Sequence, residues 1–232
     1  MTNINIQKFY KFLGTGILVW ILICGCLHQS KGYASEEKPS HFEIKKIVVV
    51  GFQSAMNQGE EPGVFRNSLS GAIYMSEPVS KAVANKMTNN LFKRLLKDHR
   101  YDLISPSQAM GVFSSLVSSD MVSDDMKILQ KIGRAFSSDA VLAGYIYRWQ
   151  EREGTNYAVN KPASVAFDLY LIRPSDGAIL RKGGFDKTQQ SLSENLLDMK
   201  TFIRSGGKWM NADKLAELGL DDLLNNIMKK SN

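Results

Sequence analysis

Two kinds of apolar spacing alternate along this chain. Val79, Val83, Met87, Leu91 and Leu95 recur every four positions and mark one stripe of a helix. Ser76-Glu77-Pro78 stands just before them, with serine as a cap and proline suited to a first turn, so the helix is predicted to open there. Ser105-Pro106 opens a second helical stretch carrying Met110, Val112, Phe113 and Leu116. A third begins near Ser123, where Asp124 and Asp125 suit the positive end of the helix dipole, and buries Met126, Leu129, Ile132 and Phe136.

Between these stretches lie short β-branched and aromatic runs without helical period, which read as strands. They are Ile44 to Phe52, Tyr101 to Ile104, Ala140 to Trp149, Ser164 to Ile172 and Ala178 to Phe185. The fourth alternates as a half-exposed strand does, and Arg173-Pro174-Ser175-Asp176-Gly177 joins it to the fifth with hairpin-turn chemistry. Helical stretches at about 191–204 and 212–230, with Gly206-Gly207 between them, finish the chain. The order β-α-β-α-α-β-β-β-α-α predicts an α/β (α+β) fold: a mixed sheet of about five strands with helices packed on it. Residues 53–75 and 151–162 read as loops, and the first is long enough to suggest a functional role.

The N-terminal stretch has a different pattern. MTNINIQKFYKFLGT carries Lys8 and Lys11 and no acid, and an apolar core follows from about Phe12 to Cys24. That core is shorter than the roughly 20 residues a spanning helix needs. A basic start, apolar middle and small residue near the end match a secretory signal. The core closes on Leu22-Ile23-Cys24-Gly25-Cys26, which resembles a bacterial lipobox, with Ile23 three places before Cys26 and the small Gly25 directly before it. The large Ile23 precedes Cys24, so Cys26 is the better candidate for modification. The resemblance implies removal of residues 1–25 and a diacylglycerol and an acyl chain on Cys26, which together anchor a protein without a transmembrane helix. An ordinary signal peptide, or an uncleaved span with a chance cysteine, is the alternative. Leu27 rather than an acid after the cysteine favours the outer membrane.

Composition adds limits. Both cysteines lie in this segment, so a mature chain would have no disulfide, cysteine–metal site or cysteine nucleophile. Loss of Lys8 and Lys11 takes the formal charge from +6 to +4. That mild, dispersed excess suits an anionic envelope surface and does not argue for nucleic acid. Residues 27–43 are polar and aperiodic and read as a tether. The division that results is 1–25 signal peptide, 26–43 lipidated cysteine and tether, 44–188 periplasmic α/β domain and 189–232 helical extension.

Catalytic motifs are missing. His28, His41 and His99 have no metal-ligand spacing, and His99 reads as packing against or capping its helix end. There is no GxSxG or P-loop pattern. The acid pairs Glu60-Glu61, Asp124-Asp125 and Asp221-Asp222 read as loop solvation, helix-dipole complement and an exposed helix face, since adjacent helical residues do not face one another. Lys81, Lys86, Lys93, Arg94 and Lys97 read as a solvated helix face or as a partner or lipid surface. Tyr145, Tyr147 and Trp149 share one strand face by spacing, either as core under a helix or as a platform for a partner. With Phe65, Tyr74 and Trp209 they make up the candidate partner surface. No cofactor, metal site or small-molecule substrate is indicated, although a carrier's apolar cavity would not show in composition.

The stretches IKKIVVVGF, VSKAVANKMTNNLFKRLLK, YDLISPSQA and KIGRAFSSDAVLAGYIYRW, before a meander closing on SDGAIL, carry a resemblance over about residues 44–188. They are similar to bacterial envelope lipoproteins that share the domain of the curli secretion-channel lipoprotein. The activator lipoproteins of penicillin-binding proteins and the N-terminal domain of the Tol-system propeller protein have a similar layout. The resemblance implies a noncatalytic periplasmic domain that binds or assembles with other proteins. The function expected is an outer-membrane-anchored accessory or assembly factor in secretion, cell-wall synthesis or surface-structure biogenesis. Its partners would be the membrane, through the lipid, and an envelope protein or further copies of itself. The alternatives are a self-assembling secretion-channel component and, less favoured, an envelope-acting enzyme. Residues 53–75 do not alternate over the nine to eleven residues or so of a membrane-spanning strand, and the tether is short for the synthase activators.

Overall fold

The computed structural model describes residues 43–119, 124–155, 159–189 and 209–229. Cys26, the signal segment, the tether with His28 and His41, the stretch at 191–204 and Gly206-Gly207 lie outside them. The described strands are β1 (Lys46–Ser54), β2 (Gly63–Arg66), β3 (Ile73–Ser76), β4 (Asp102–Ile104), β5 (Ala140–Gln150), β6 (Glu153–Gly154), β7 (Val159–Lys161), β8 (Ser164–Ile172) and β9 (Ile179–Thr188). The helices are α1 (Lys81–Leu95), α2 (Pro106–Ser119), α3 (Asp125–Ala135) and α4 (Ala212–Ile227).

Five strands form one mixed sheet in the order β4-β1-β5-β8-β9, with β1 parallel to β4 and β5, and β5, β8 and β9 antiparallel in turn. The fold class and the order of the main elements are those expected from the sequence. From β1 the chain steps one way to β4 through α1, then returns across β1 to β5 through α2 and α3. Right-handed crossovers in opposite directions must use opposite faces. Accordingly α1 joins one core, with Ile47, Val49, Leu142, Phe167 and Leu169, and α2 and α3 join the other, with Val48, Val141, Tyr145 and Tyr170.

Helix α4 completes the first face. Leu215, Leu220, Leu223 and Ile227 are buried in the α1 core. Lys86 pairs with Asp213 at 2.5 Å and Arg94 with Asp221 at 2.6 Å, so two of the five bases read as a solvated face instead tie α1 to α4. Both partners advance by the same interval, so the two helices run side by side in one direction. Such exposed pairs set register more than they stabilise. They also give Asp221 a partner that its reading as an exposed helix face lacked.

Four expectations need correction. Helix α1 is capped by Ser80, whose Oγ accepts from the Val83 amide; Ser76 is spent in β3, where its hydroxyl donates to the Tyr147 carbonyl. Strand β8 is buried along its whole length rather than half-exposed, because both sheet faces are covered. The segments read as loops hold the antiparallel pairs β2–β3 and β6–β7. His99 is exposed, neither packed nor capping.

Asp139 closes the start of the sheet: its Oδ2 accepts the amides of Lys45 at 2.9 Å and Lys46 at 2.8 Å. Gly144 permits the closest approach within it, since a Cβ there would stand 2.5 Å from both the Asp168 carbonyl oxygen and the Phe52 ring. Gly144→Ala is expected to cost about 1–3 kcal/mol, by forced displacement of a packed ring and a strand. Chemical denaturation should show it as a lower midpoint at an unchanged slope.

Candidate functional site

The β2–β3 hairpin lies against the second sheet face and has two unlike sides. Val64 stands opposite Met75, and Phe65 opposite Tyr74. Because side chains alternate, Phe65 and Tyr74 turn toward the sheet while Val64, Arg66, Ile73 and Met75 turn away. Tyr74 stacks on Tyr147 at 3.8 Å between ring centroids, and Phe65 meets Tyr147 at 5.9 Å and Tyr145 at 6.4 Å. The hairpin therefore covers Tyr147 and shares Tyr145 with α3.

A buried polar network fixes the hairpin from below. Asp168, 2 % exposed in the middle of β8, accepts on Oδ2 from the hydroxyls of Tyr147 and Tyr170. Each tyrosine has one proton to give, so its oxygen takes a bond from the hairpin in return. Asn67 Nδ2 donates to Tyr147 at 2.7 Å, and Ser70 Oγ donates to Tyr170 at 2.8 Å. Asn67 Oδ1 meanwhile accepts the amides of Leu69 and Ser70 and shapes the turn, where Gly71 takes the left-handed conformation at φ 70°. A second tie reaches α3: Asp125 Oδ2 accepts from Tyr145 and from Ser68, both at 2.6 Å. Asp125 is thus more than a complement to the helix dipole.

The candidate surface residues separate accordingly. Tyr145 and Tyr147 are 3 % and 0 % exposed, so they seat the hairpin and present no surface to a partner. Phe65 and Tyr74 are half-buried on its inner side. Trp149 leaves the group: a β-bulge between Ile146 and Arg148 breaks the alternation and turns its ring to the first face. Trp209 is half-buried elsewhere, its carbonyl accepting from Arg152 at 2.6 Å. The apolar groups that do face outward are Val64, Ile73 and Met75, at 71 %, 60 % and 63 % exposure. Sequence reasoning missed these three, and also Asn67, Asp168 and Tyr170. The available signal was one acid, two residues from a tyrosine, inside an apolar strand.

Among the described residues no group of three or more histidine, cysteine, aspartate or glutamate side chains is placed to hold a metal ion. No described helix is long and apolar enough to cross a membrane. The titratable chemistry is concentrated under the hairpin. Burial pushes the Asp168 carboxyl up to about 6, against the opposing pull of the Tyr147 and Tyr170 hydrogen bonds. Burial first and the Asp168 charge next raise Tyr147 and Tyr74, while burial and the hydrogen bond to Asp168 raise Tyr170. The three hydroxyls stay protonated donors, and Lys182 on β9 lines the small cleft beside them.

Linkage fixes the sign. An acid raised in the fold binds its proton more tightly there than in the open chain, so its stabilising contribution is complete below the ordinary 3.8 and lost as pH rises through about 6. Ionised Asp168 should cost about 3 kcal/mol near neutrality. The stability of Asp168→Asn is expected to exceed that of the parent at pH 7, and the difference to shrink toward pH 4. Denaturant midpoints measured across that range check it.

No protein-family model and no curated protein matches the chain. Solved structures of similar layout exist. The C-terminal domain of LpoB from Salmonella enterica is 16 % identical, covers 62 % of this chain and 83 % of its own, and has a TM-score of 0.38. Lipoprotein GNA1162 from Neisseria meningitidis is 13 % identical over 69 % and 92 %, at 0.41. The PelC dodecamer from Paraburkholderia phytofirmans is 12 % identical over 82 % and 91 %, at 0.44. One of these neighbours is a lipoprotein, and the likeness to all three is one of layout alone.

Proposed function

We propose that this protein is an outer-membrane-anchored periplasmic lipoprotein serving as a noncatalytic accessory or assembly factor in an envelope complex. In this reading the diacylglycerol and acyl chain on Cys26 hold it at the membrane, the tether carries the domain, and the outer side of the β2–β3 hairpin makes contact with a partner protein. The observation that carries it is the outward row of Val64, Ile73 and Met75. Water-facing apolar groups clustered on a braced hairpin mark an interaction surface, where a scattered set would mean little. The network below keeps that surface in one shape, which lowers the ordering cost of binding.

Support for the location comes from Ile23, Gly25 and Cys26 and from the absence of cysteines after Cys26 in the sequence. Support for a noncatalytic role is the placement of Asp168, the one acid strongly raised among the described residues: it is held by its own tyrosines and fixes a structural element.

Two experiments test the two halves. Cys26→Ser is expected to move the protein from the detergent-soluble membrane fraction to the soluble fraction; retention of the variant in membranes would refute the lipid anchor. A photo-crosslinker placed at Met75 of the full-length protein is expected to capture one reproducible envelope protein, and Val64→Glu with Ile73→Glu to abolish that capture. The double variant should keep its thermal midpoint, because both side chains already face water. A ladder made only of this chain would instead favour self-assembly, and an unchanged capture would remove the hairpin from the interface.

A further inference from the structure

A feature of the second face is independent of the hairpin's outer side. Beneath α2 and α3, where they cover the far end of β1, lies a cavity of about 160 Å³ that opens to solvent beside the exposed Met110 and Gln53. Apolar groups, among them Val50, Met110, Phe113, Ile128 and Ile132, line it, and the polar groups Gln53 and Asp125 stand in the same wall.

The void has a structural cause. Alternation along β1 would send Val48, Val50 and then residue 52 to the second face. A register shift between Val49 and Gly51 intervenes, with Gly51 at φ 89° and its missing Cβ replaced by the side chain of Thr88. Phe52 is thereby turned into the first core, edge-on to Phe167 at 5.6 Å. The second face loses a phenylalanine-sized group at this level. The small residues Ala109 of α2 and Ala143 and Gly144 of β5 share the lining with what remains of Phe52 on this side. The chain does not refill the space.

An apolar lining on this scale suits a benzene-sized molecule, because water held against it finds few polar partners. This cavity differs from a purely apolar one in the carboxylate of Asp125. Its Oδ2 already accepts from Tyr145 and Ser68, which orients the group from the cavity wall. A carboxylate favours a hydrogen-bond donor and disfavours an anion.

We propose that this cavity is a binding site for a compact apolar ligand, a single aromatic ring or its aliphatic equivalent, carrying one neutral hydrogen-bond donor that meets Asp125. The site does not depend on the lipid anchor or on the hairpin's outer surface, so its failure would leave the accessory role standing.

The test titrates the full-length protein in detergent at neutral pH with benzene, phenol and phenylacetate, followed by calorimetry and by the methyl NMR signals of Ile132 and Leu129. Phenol is expected to bind and to shift both signals, benzene to bind more weakly, and phenylacetate to bind at least about tenfold more weakly than phenol. Ala109→Leu, which fills the cavity, should reduce phenol binding at least about tenfold while retaining the thermal midpoint. Ala143→Val provides the same comparison if the leucine variant does not fold. Absence of phenol binding at millimolar concentration would overturn the proposal. Equal binding by the parent and a folded, filled variant, or phenylacetate binding as well as phenol, would overturn it too.

Discussion

The second face of the sheet depends on one buried carboxylate. Asp168 occupies a position where β8 otherwise places apolar side chains, and it is buried at the cost of a strongly unfavourable ionised state. What offsets that cost is a pair of phenol donors, each held by a second donor from the hairpin turn. Each bond in the chain from Asn67 or Ser70 through tyrosine to carboxylate polarises the next, and removal of any member leaves the others unsatisfied. The hairpin could not be held this way by Phe65 and Tyr74 alone, because ring contacts fix distance more than direction. The polar network supplies direction, and with it a defined orientation for the outward side chains.

Burial on both faces is what creates the need for such a network. Helices α1 and α4 seal the first face with aliphatic packing, two ion pairs and isolated buried hydrogen bonds, such as the one from the Phe52 amide to Thr88 Oγ1. The second face is covered by α2 and α3 at one end only. At the other end lies none of the described helices, and a hairpin of two four-residue strands does the covering instead. A pair of strands that short is marginal alone. It persists through what it packs on, which is why the residues beneath it are tyrosines and not leucines.

The sheet, its helices and their order were legible because their periods are long and regular: Val83, Met87, Leu91 and Leu95 read as a helix from spacing alone. The hairpin was not, since GVFR and IYMS each offer only one inward aromatic residue, too few to establish an alternation. The cap of α1 was misread because Ser76 and Ser80 both precede the stripe, and only the bond from Ser76 to the Tyr147 carbonyl separates them. Strand β8 looked half-exposed because period-two alternation reports that two faces differ in character. Here they differ as aliphatic from tyrosine-rich, both dry. Aromatic residues stand out in the sequence, yet Tyr145 and Tyr147 pack, while the less conspicuous Val64, Ile73 and Met75 face water.

The two bulges explain the remainder. One lies in β1 beside Gly51 and one in β5 beside Tyr147, and each shifts the next aromatic, Phe52 or Trp149, from the second face to the first. A one-residue slip reverses every side chain that follows it, so alternation read from sequence fails downstream of each bulge. The consequences are complementary. Removal of Phe52 leaves the second face underfilled beneath α2 and α3, which gives the cavity beside Asp125. Removal of Trp149 ends the tyrosine row at Tyr147, which matches the width of the short hairpin that stacks there. The same backbone device therefore sets both features of this face that are available to a ligand or a partner, and Gly51 is the position from which the first of them can be altered. Any side chain there would meet Thr88 within 2.3 Å and would have to adopt a positive φ. A substitution would thus force the β1 bulge to relax and return Phe52 toward the space that the cavity now occupies.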